Sequence, residues 1–345
     1  MKENIKIAFV FTGTIIGAGL ASGQEILQFF SLYGFKGFYG LILCCILYIL
    51  ICLIIINLCF KLNLKSYKEI IYNVLGKKLG IIVDMFLSFF IFGSNIIMLS
   101  GGGAMLNEYI GINKITGTLI MAIFVLTVSF FSTQGLIATN TLIVPLSTLS
   151  ILLMGYHVLK SSTPIFQIHS FLRNTLPIRN SWILSTILYS SFNIMSAIGV
   201  LCPMTIEIKR KRSFIIGCIL GSIILTIISL IINCSILLYY PESFNFEIPN
   251  LYIAKKFGII LPSLLTIVIW LEMFSTEISN VYSLCKRITY SFKIPYKISV
   301  LFIIISSIPF TLVGFTNLIR YLYPPFGAIS FIFVFGCILK YFDIK

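Results

Sequence analysis

Four carboxylates lie where an apolar chain should carry none. Of eleven acidic residues, Glu25, Asp84, Glu272 and Glu277 fall within long hydrophobic stretches. A carboxylate near mid-bilayer costs about 2.5–3.5 kcal/mol on insertion scales, so such a group usually faces a cavity or a partner. Glu272 centres the richest pattern. On a helix, Glu272, Ser275, Thr276, Ser279 and Ser283 fall within roughly 100° of arc, a polar stripe on an otherwise apolar rod. A carboxylate with hydroxyls and carbonyls is the oxygen set that a hard cation such as Na⁺ requires. Membrane hydroxyls also bridge helices, so the stripe is open to both readings. Glu277 points about 140° away from Glu272, with Asn280 between them, and needs a partner on another helix. Asp84 lies within reach of Lys77 and Lys78. Ser94-Asn95 and Ser100-Gly101-Gly102-Gly103 form a small polar surface suited to close helix packing.

The element that must position this chemistry is the first hydrophobic stretch. It reads Gly13-Thr14-Ile15-Ile16-Gly17-Ala18-Gly19-Leu20-Ala21-Ser22-Gly23-Gln24-Glu25. Gly17, Gly19 and Gly23 weaken a helix unless packing compensates. Ser22 and Glu25 stand at capping-box spacing, in which a serine opens a helix and a glutamate three residues on reaches back to it. The pattern predicts a helix that stops near Gly17–Gly19 and restarts near Ser22 at membrane depth. Irregular backbone there is tolerated only where it lines a protein-enclosed cavity. Half-helix ends of this kind hold substrate and ions in transporters. Small pairs such as Gly13/Gly17 also serve simple helix packing.

The whole chain fits that setting. Its 345 residues are 58% hydrophobic and 10% charged, against about a quarter charged in a soluble domain. Apolar character runs through the full length, which leaves no soluble domain of any size and no cleaved signal peptide. The formal charge of +14 comes from short loops between apolar spans, so it marks topology and excludes a nucleic-acid patch. The nine cysteines lie in apolar stretches and, with His157 and His169 the only histidines, form no metal-ligand spacing.

Apolar runs of membrane-crossing length place ten spans, at 5–32, 38–60, 79–106, 115–132, 136–159, 181–206, 214–240, 258–285, 297–316 and 319–340. A polar loop from Lys160 to Asn180 divides them five and five. Lysine and arginine concentrate in loops such as Lys61–Lys78, Lys209–Arg212 and Lys286–Lys297, which predicts both termini in the cytoplasm. Ser66–Leu75 suits a helix on the inner surface. Glu247–Gly258, with a proline near its start and a glycine at its end, suits a short outer helix. An odd number of spans per half turns the second half over, an inverted repeat with halves at about 5–160 and 181–340 of one membrane domain. The sixth span then answers the first. Its Tyr189-Ser190-Ser191-Phe192-Asn193-Ile194-Met195-Ser196 and Pro203 compete for or remove backbone hydrogen bonds, which predicts a second break. Asn193 equally suits a bridge between two helices.

The run from Gly13 to Gly19 and on through Ser22-Gly23-Gln24-Glu25, with Phe29 beyond, resembles the YkvI-like bacterial membrane proteins. These are distant relatives of the amino acid–polyamine–organocation superfamily, with its leucine-transporter-type (LeuT) fold. The resemblance implies an all-α polytopic protein of the bacterial cytoplasmic membrane, with helices 1 and 6 broken around a substrate. Carried over by position, it implies a sodium site from the carbonyls of Gly13 and Ile16 and the hydroxyls of Ser275 and Thr276. The sixth span lacks the superfamily's glycine-rich break, and Glu272 and Glu277 leave proton coupling open.

The function expected is secondary active transport of a small polar solute, an amino acid or similar small carboxylate, coupled to Na⁺ or H⁺. Gly17, Ala18, Gly19, Ser22, Gly23, Asn193, Ser196 and Glu272 are the expected solute contacts. The alternative is a ligand-sensing subunit that keeps a permease fold without moving its ligand. The sequence shows no paired-aspartate metal site, catalytic cluster or phosphate loop that would make it an enzyme.

Overall fold

The first hydrophobic stretch is not one helix. The computed structural model describes residues 3–161, 181–246, 248–313 and 315–344. In it α1 (Glu3–Ile15) ends at Ile16–Gly17 and α2 (Ala18–Ser22) lasts little more than a turn. After a second interruption at Gly23, α3 (Gln24–Phe29) completes the series. Then come α4 (Lys36–Leu62), α5 (Tyr67–Ile110), α6 (Lys114–Ser129) and α7 (Ser132–Ser161). The second half holds α8 (Trp182–Glu207), α9 (Lys211–Leu238), α10 (Pro249–Lys255), α11 (Ile260–Phe292), α12 (Tyr296–Ser307) and α13 (Phe315–Ile344). Every predicted span overlaps one of these helices or the α1–α3 series, but 297–316 runs past the end of α12 through a 3₁₀ segment at Ile308–Val313. The predicted loop at 160–180 lies almost wholly outside the described residues.

By length and composition, six helices among the described residues can cross a membrane: α4, α5, α7, α8, α9 and α11. Helices α6 and α12 are shorter and equally apolar in character. Large apolar side chains such as Ile42, Leu50, Leu142 and Phe302 are exposed on the outside, whereas Asn140, Ser147, Asn193 and Ser275 are buried within. That inside-out polarity is what a lipid surround imposes, because polar groups find partners only in the interior.

Both predicted accessory helices are present. Ser66 opens α5 by accepting the Glu69 amide at 3.4 Å, and the Glu69 carboxylate accepts the Lys65 amide at 2.6 Å. Gly76, at φ 72°, then bends the chain away from this short segment into the long part of α5. Pro249 starts α10, and Gly258, at φ 92°, turns the chain into α11.

The sixth span departs from expectation. Helix α8 is continuous through Asn193, Ser196 and Pro203. Its polar side chains do not dissolve it, for specific reasons. Ser190 and Ser196 donate to carbonyls one turn back on their own helix, Ile187 and Phe192, at 3.1 and 3.2 Å. Asn193 reaches across to the Tyr48 hydroxyl of α4 at 2.8 Å. Pro203 removes one bond, to the Gly199 carbonyl, and the helix still runs on to Glu207. With 72% of its apolar window buried, α8 is the most enclosed of the six spanning helices.

Helix α1 packs between α7 and α9 and touches α8 and α11. Gly217 and Gly221 on α9 admit Ile7 and Phe11, which brings the two backbones close.

Candidate functional site

The break is defined by where its hydrogen bonds go. The Ile16 amide still bonds the Thr12 carbonyl at 2.8 Å. The Gly17 amide, which in a continuous helix would bond the Gly13 carbonyl, instead bonds Ile15 at 2.8 Å. Gly17 itself is extended. The Gly13 carbonyl thereby loses its helical donor. The Ile16 carbonyl accepts the Thr276 hydroxyl of α11 at 3.4 Å, and Gly17 faces the same threonine.

One residue organises the other half of the cluster. Asn140 on α7 is fully buried and accepts the Ser275 hydroxyl at 2.9 Å, while its amide donates to the Leu136 carbonyl at 2.8 Å. Gly13 packs so closely on the Asn140 side chain that no Cβ fits between them. Gly13, Ile16, Ser275 and Thr276 therefore converge where α1, α7 and α11 meet. Asn140 is the member that residue-by-residue reading missed. A signal existed: Thr133, Asn140 and Ser147 recur every seven residues, which sets them on one helical face. That face lies against α11.

Glu272 is buried one turn from Ser275, on the side of α11 toward α7. The nearby Ser147 hydroxyl donates to the Val144 carbonyl at 3.0 Å, so neither Glu272 oxygen has a hydrogen bond among the described residues. Glu277 is equally buried and equally unpartnered. The face between them belongs to α5, since Asn280 donates to Ser94 at 3.0 Å.

Gly17, Ala18, Gly19, Ser22 and Gly23 stay together along the interrupted segment. The Ser22–Glu25 capping box does not form. Gly23, at φ 87°, occupies the cap position before α3, and Ser22 donates back to the Gly19 carbonyl at 3.0 Å while accepting the Gln24 amide at 3.3 Å. Glu25 is thus free to fold over Gly19 and accept the Tyr189 hydroxyl of α8 at 3.2 Å. From α10, Asn250 donates to the Ala21 carbonyl at 2.9 Å and packs on Gly23. Asn193 lies beside Tyr189 and bonds Tyr48, whereas Ser196 bonds only its own helix. Glu272 is not in this group; it belongs with α7. A cavity of about 10 Å³, lined by Leu20, Tyr48, Tyr189 and Ser229 among others, adjoins α2. That is room for a single water.

The end of the molecule that carries the basic loops is tied shut. Asp84 pairs with Arg287 in a two-pronged bridge at 2.8 and 2.7 Å, and not with the predicted Lys77 or Lys78. Both lysines are exposed, and they precede Asp84 by seven and six residues, about two turns along the helix. Nearby, Glu207 at the end of α8 accepts Thr133 of α7 at 2.7 Å and Lys286 of α11 at 2.9 Å. Thr133 also contacts the Tyr282 hydroxyl at 3.0 Å.

An apolar-faced helical bundle, with its first helix broken over buried oxygens, defines a multi-pass membrane protein. No protein-family model matches the chain. Its relatives include the uncharacterized membrane protein YkvI of Bacillus subtilis, 28% identical over 335 residues, or 97% of this chain and 95% of the other. YyaD of the same organism is 26% identical over 343 residues, 99% and 97% of the two chains. The resemblance carried by the first span therefore extends over the full length.

Among solved structures, a Na⁺-coupled sialic acid symporter in a substrate-bound outward-open state superposes with a TM-score of 0.73. It is 14% identical and covers 98% of this chain and 78% of its own. MhsT in complex with L-phenylalanine gives 0.65 at 15% identity, over 97% and 87% of the two chains. Mhp1, a nucleobase-cation-symport-1 family transporter, gives 0.57 at 13% identity, over 92% and 74%. The chain has the LeuT-type fold of these transporters.

Proposed function

We propose that the chain is a secondary active transporter that moves a small polar solute by alternating access. The observation that carries this reading is the gap at Ile16–Gly17, with the Thr276 hydroxyl on the Ile16 carbonyl. A membrane helix leaves carbonyls without backbone donors only where a bound species or a facing side chain takes their place. Gly13, Ile16, Ser275 and Thr276 are the proposed Na⁺ ligands. The resident hydroxyl hydrogen bonds hold the oxygens in position until a cation draws on their lone pairs. Glu272, buried without a hydrogen-bond partner one turn away, supplies negative charge that a cation or a proton would neutralise.

The proposed solute site is the segment Gly17, Ala18, Gly19, Ser22 and Gly23, with Asn193 and Ser196 on the facing helix α8. Amides at the start of α2 suit a carboxylate, which favours an amino acid or a similar small acid. The adjoining cavity admits no such solute, so binding requires α2 and α3 to move away from α8. The names of the structural neighbours, symporters of small solutes, support the reading. The five-plus-five inverted repeat and cytoplasmic termini belong to the same proposal.

Uptake into proteoliposomes under an imposed Na⁺ or pH gradient tests it. Gradient-dependent accumulation of at least one small zwitterion or acid is expected. Its absence across a broad solute panel would overturn the proposal.

A further inference from the structure

The geometry points to Glu25 as the acidic member of the solute site, selecting solutes that carry a cationic amine. This rests on the transporter reading above and adds the charge class of what is carried. Its sequence position marks Glu25 as a helix cap, but the structure gives that duty to Gly23 and leaves the carboxylate free. The freed side chain lies across the backbone of α2 at Gly19, in the middle of the interrupted segment. Only a residue without a side chain at position 19 leaves that place open.

Among the described residues no cation pairs with the carboxylate. Glu25 accepts one neutral hydrogen bond, from the Tyr189 hydroxyl at 3.2 Å. The three ion pairs among the described residues, Arg210–Glu3, Lys286–Glu207 and Arg287–Asp84, all belong to the basic end of the molecule. None involves Glu25. The half-buried carboxylate at the candidate solute segment thus has no cationic partner among the described residues.

The tyrosine that meets it belongs to an aromatic cluster. The Tyr189 ring lies 5.0 Å from that of Phe29 and 5.1 Å edge-on to that of Phe30. An ammonium held near these rings gains from the quadrupole of their faces, and an anion gains nothing. A solute whose only charge is a carboxylate would meet Glu25 as a repulsion, and one with an amine would meet it as a partner.

Thermal unfolding of the purified full-length protein in detergent tests this with three matched probe sets. These are the common amino acids, the amines made by removing their carboxylates, and the acids made by removing their amines. Stabilisation is expected from amine-bearing probes only. Glu25→Gln should weaken it at least tenfold in half-maximal concentration, and Glu25→Asp should keep part of it. Gly19→Ala retains the charge but pushes the carboxylate off α2, so it should weaken binding as well. These two variants keep the test decisive if Glu25→Gln lowers the ligand-free melting temperature.

The inference is overturned if amine-free acids stabilise as well as their parents. It is equally overturned if no amine-bearing probe stabilises, or if Glu25→Gln binds like the wild type. Gradient-driven uptake of an amine-free acid would sink the inference and leave the transporter reading standing. Glu25-dependent amine binding without any uptake would do the reverse.

Discussion

Asp84, Glu25, Glu272 and Glu277 are four carboxylates in one apolar chain, and their partners differ in kind. Asp84 has a full two-pronged guanidinium, Glu25 a single neutral hydroxyl, and Glu272 and Glu277 no hydrogen-bond partner among the described residues. A completed buried pair is a structural clamp, because removing one member strands the other. Asp84→Asn leaves the Arg287 side chain, only 15% exposed, without its counter-charge. Denaturant unfolding in detergent should show a loss of about 3–5 kcal/mol, most of it recovered when Arg287→Met is added. The burial of these acids was legible from their depth in apolar runs. Asp84's partner was not: Arg287 is 203 residues away, and the register between α5 and α11 is a property of packing. Lys77 and Lys78 are close in sequence but exposed, and about two helical turns from Asp84.

At the scale of elements, one four-residue spacing had two outcomes. Ser66 caps the Glu69 amide and the Glu69 carboxylate reaches back to the neighbouring Lys65 amide, whereas Ser22–Glu25 forms neither bond. The difference is Gly23, whose left-handed backbone ends α2 and resets the chain before Glu25. The glycines announced that the first span would break. The position of the break, at Ile16–Gly17 and again at Gly23, depended on Thr276 and Asn250 arriving from the other half of the chain. The same limit explains α8. Ser190, Ser196 and Asn193 resemble helix breakers when read singly, yet each finds an acceptor or partner that leaves the backbone ladder intact. Asn250 is the outer support of the interrupted segment, bonding Ala21 and packing on Gly23. Asn250→Ala should therefore raise amide hydrogen exchange in residues 18–29 while leaving α4 and α9 unchanged. Gly23→Ala should destabilise the protein by about 1–2 kcal/mol for its left-handed backbone, with more added by the clash with Asn250.

Across the whole molecule, the two ends are held by different means. At the basic end, Glu207 joins α7, α8 and α11 through Thr133 and Lys286, and Asp84–Arg287 joins α5 to α11. At the other end, α10 leans on α2 through one amide. The proposed alternating access requires the basic end to open in turn, and Glu207 is the tie that joins three helices there. In a cysteine-free background, a cysteine placed at Ser283 (buried against Gly199 of α8) should react several-fold faster with a thiol reagent when Glu207→Gln is present. Unchanged reactivity would mean that the tie does not control this face. Between the two ends lies the claim on which the rest depends, that the gap in the first span and the hydroxyls of α11 together hold a cation. The most direct measurement is the melting temperature of the purified protein as Na⁺ replaces a large organic cation at constant ionic strength, for wild type and for Thr276→Ala. The expected result is a saturable Na⁺-dependent rise in the wild type, with half-saturation shifted at least tenfold, about 1.4 kcal/mol, in the variant. A wild-type protein indifferent to Na⁺, or a variant that responds identically, would contradict it.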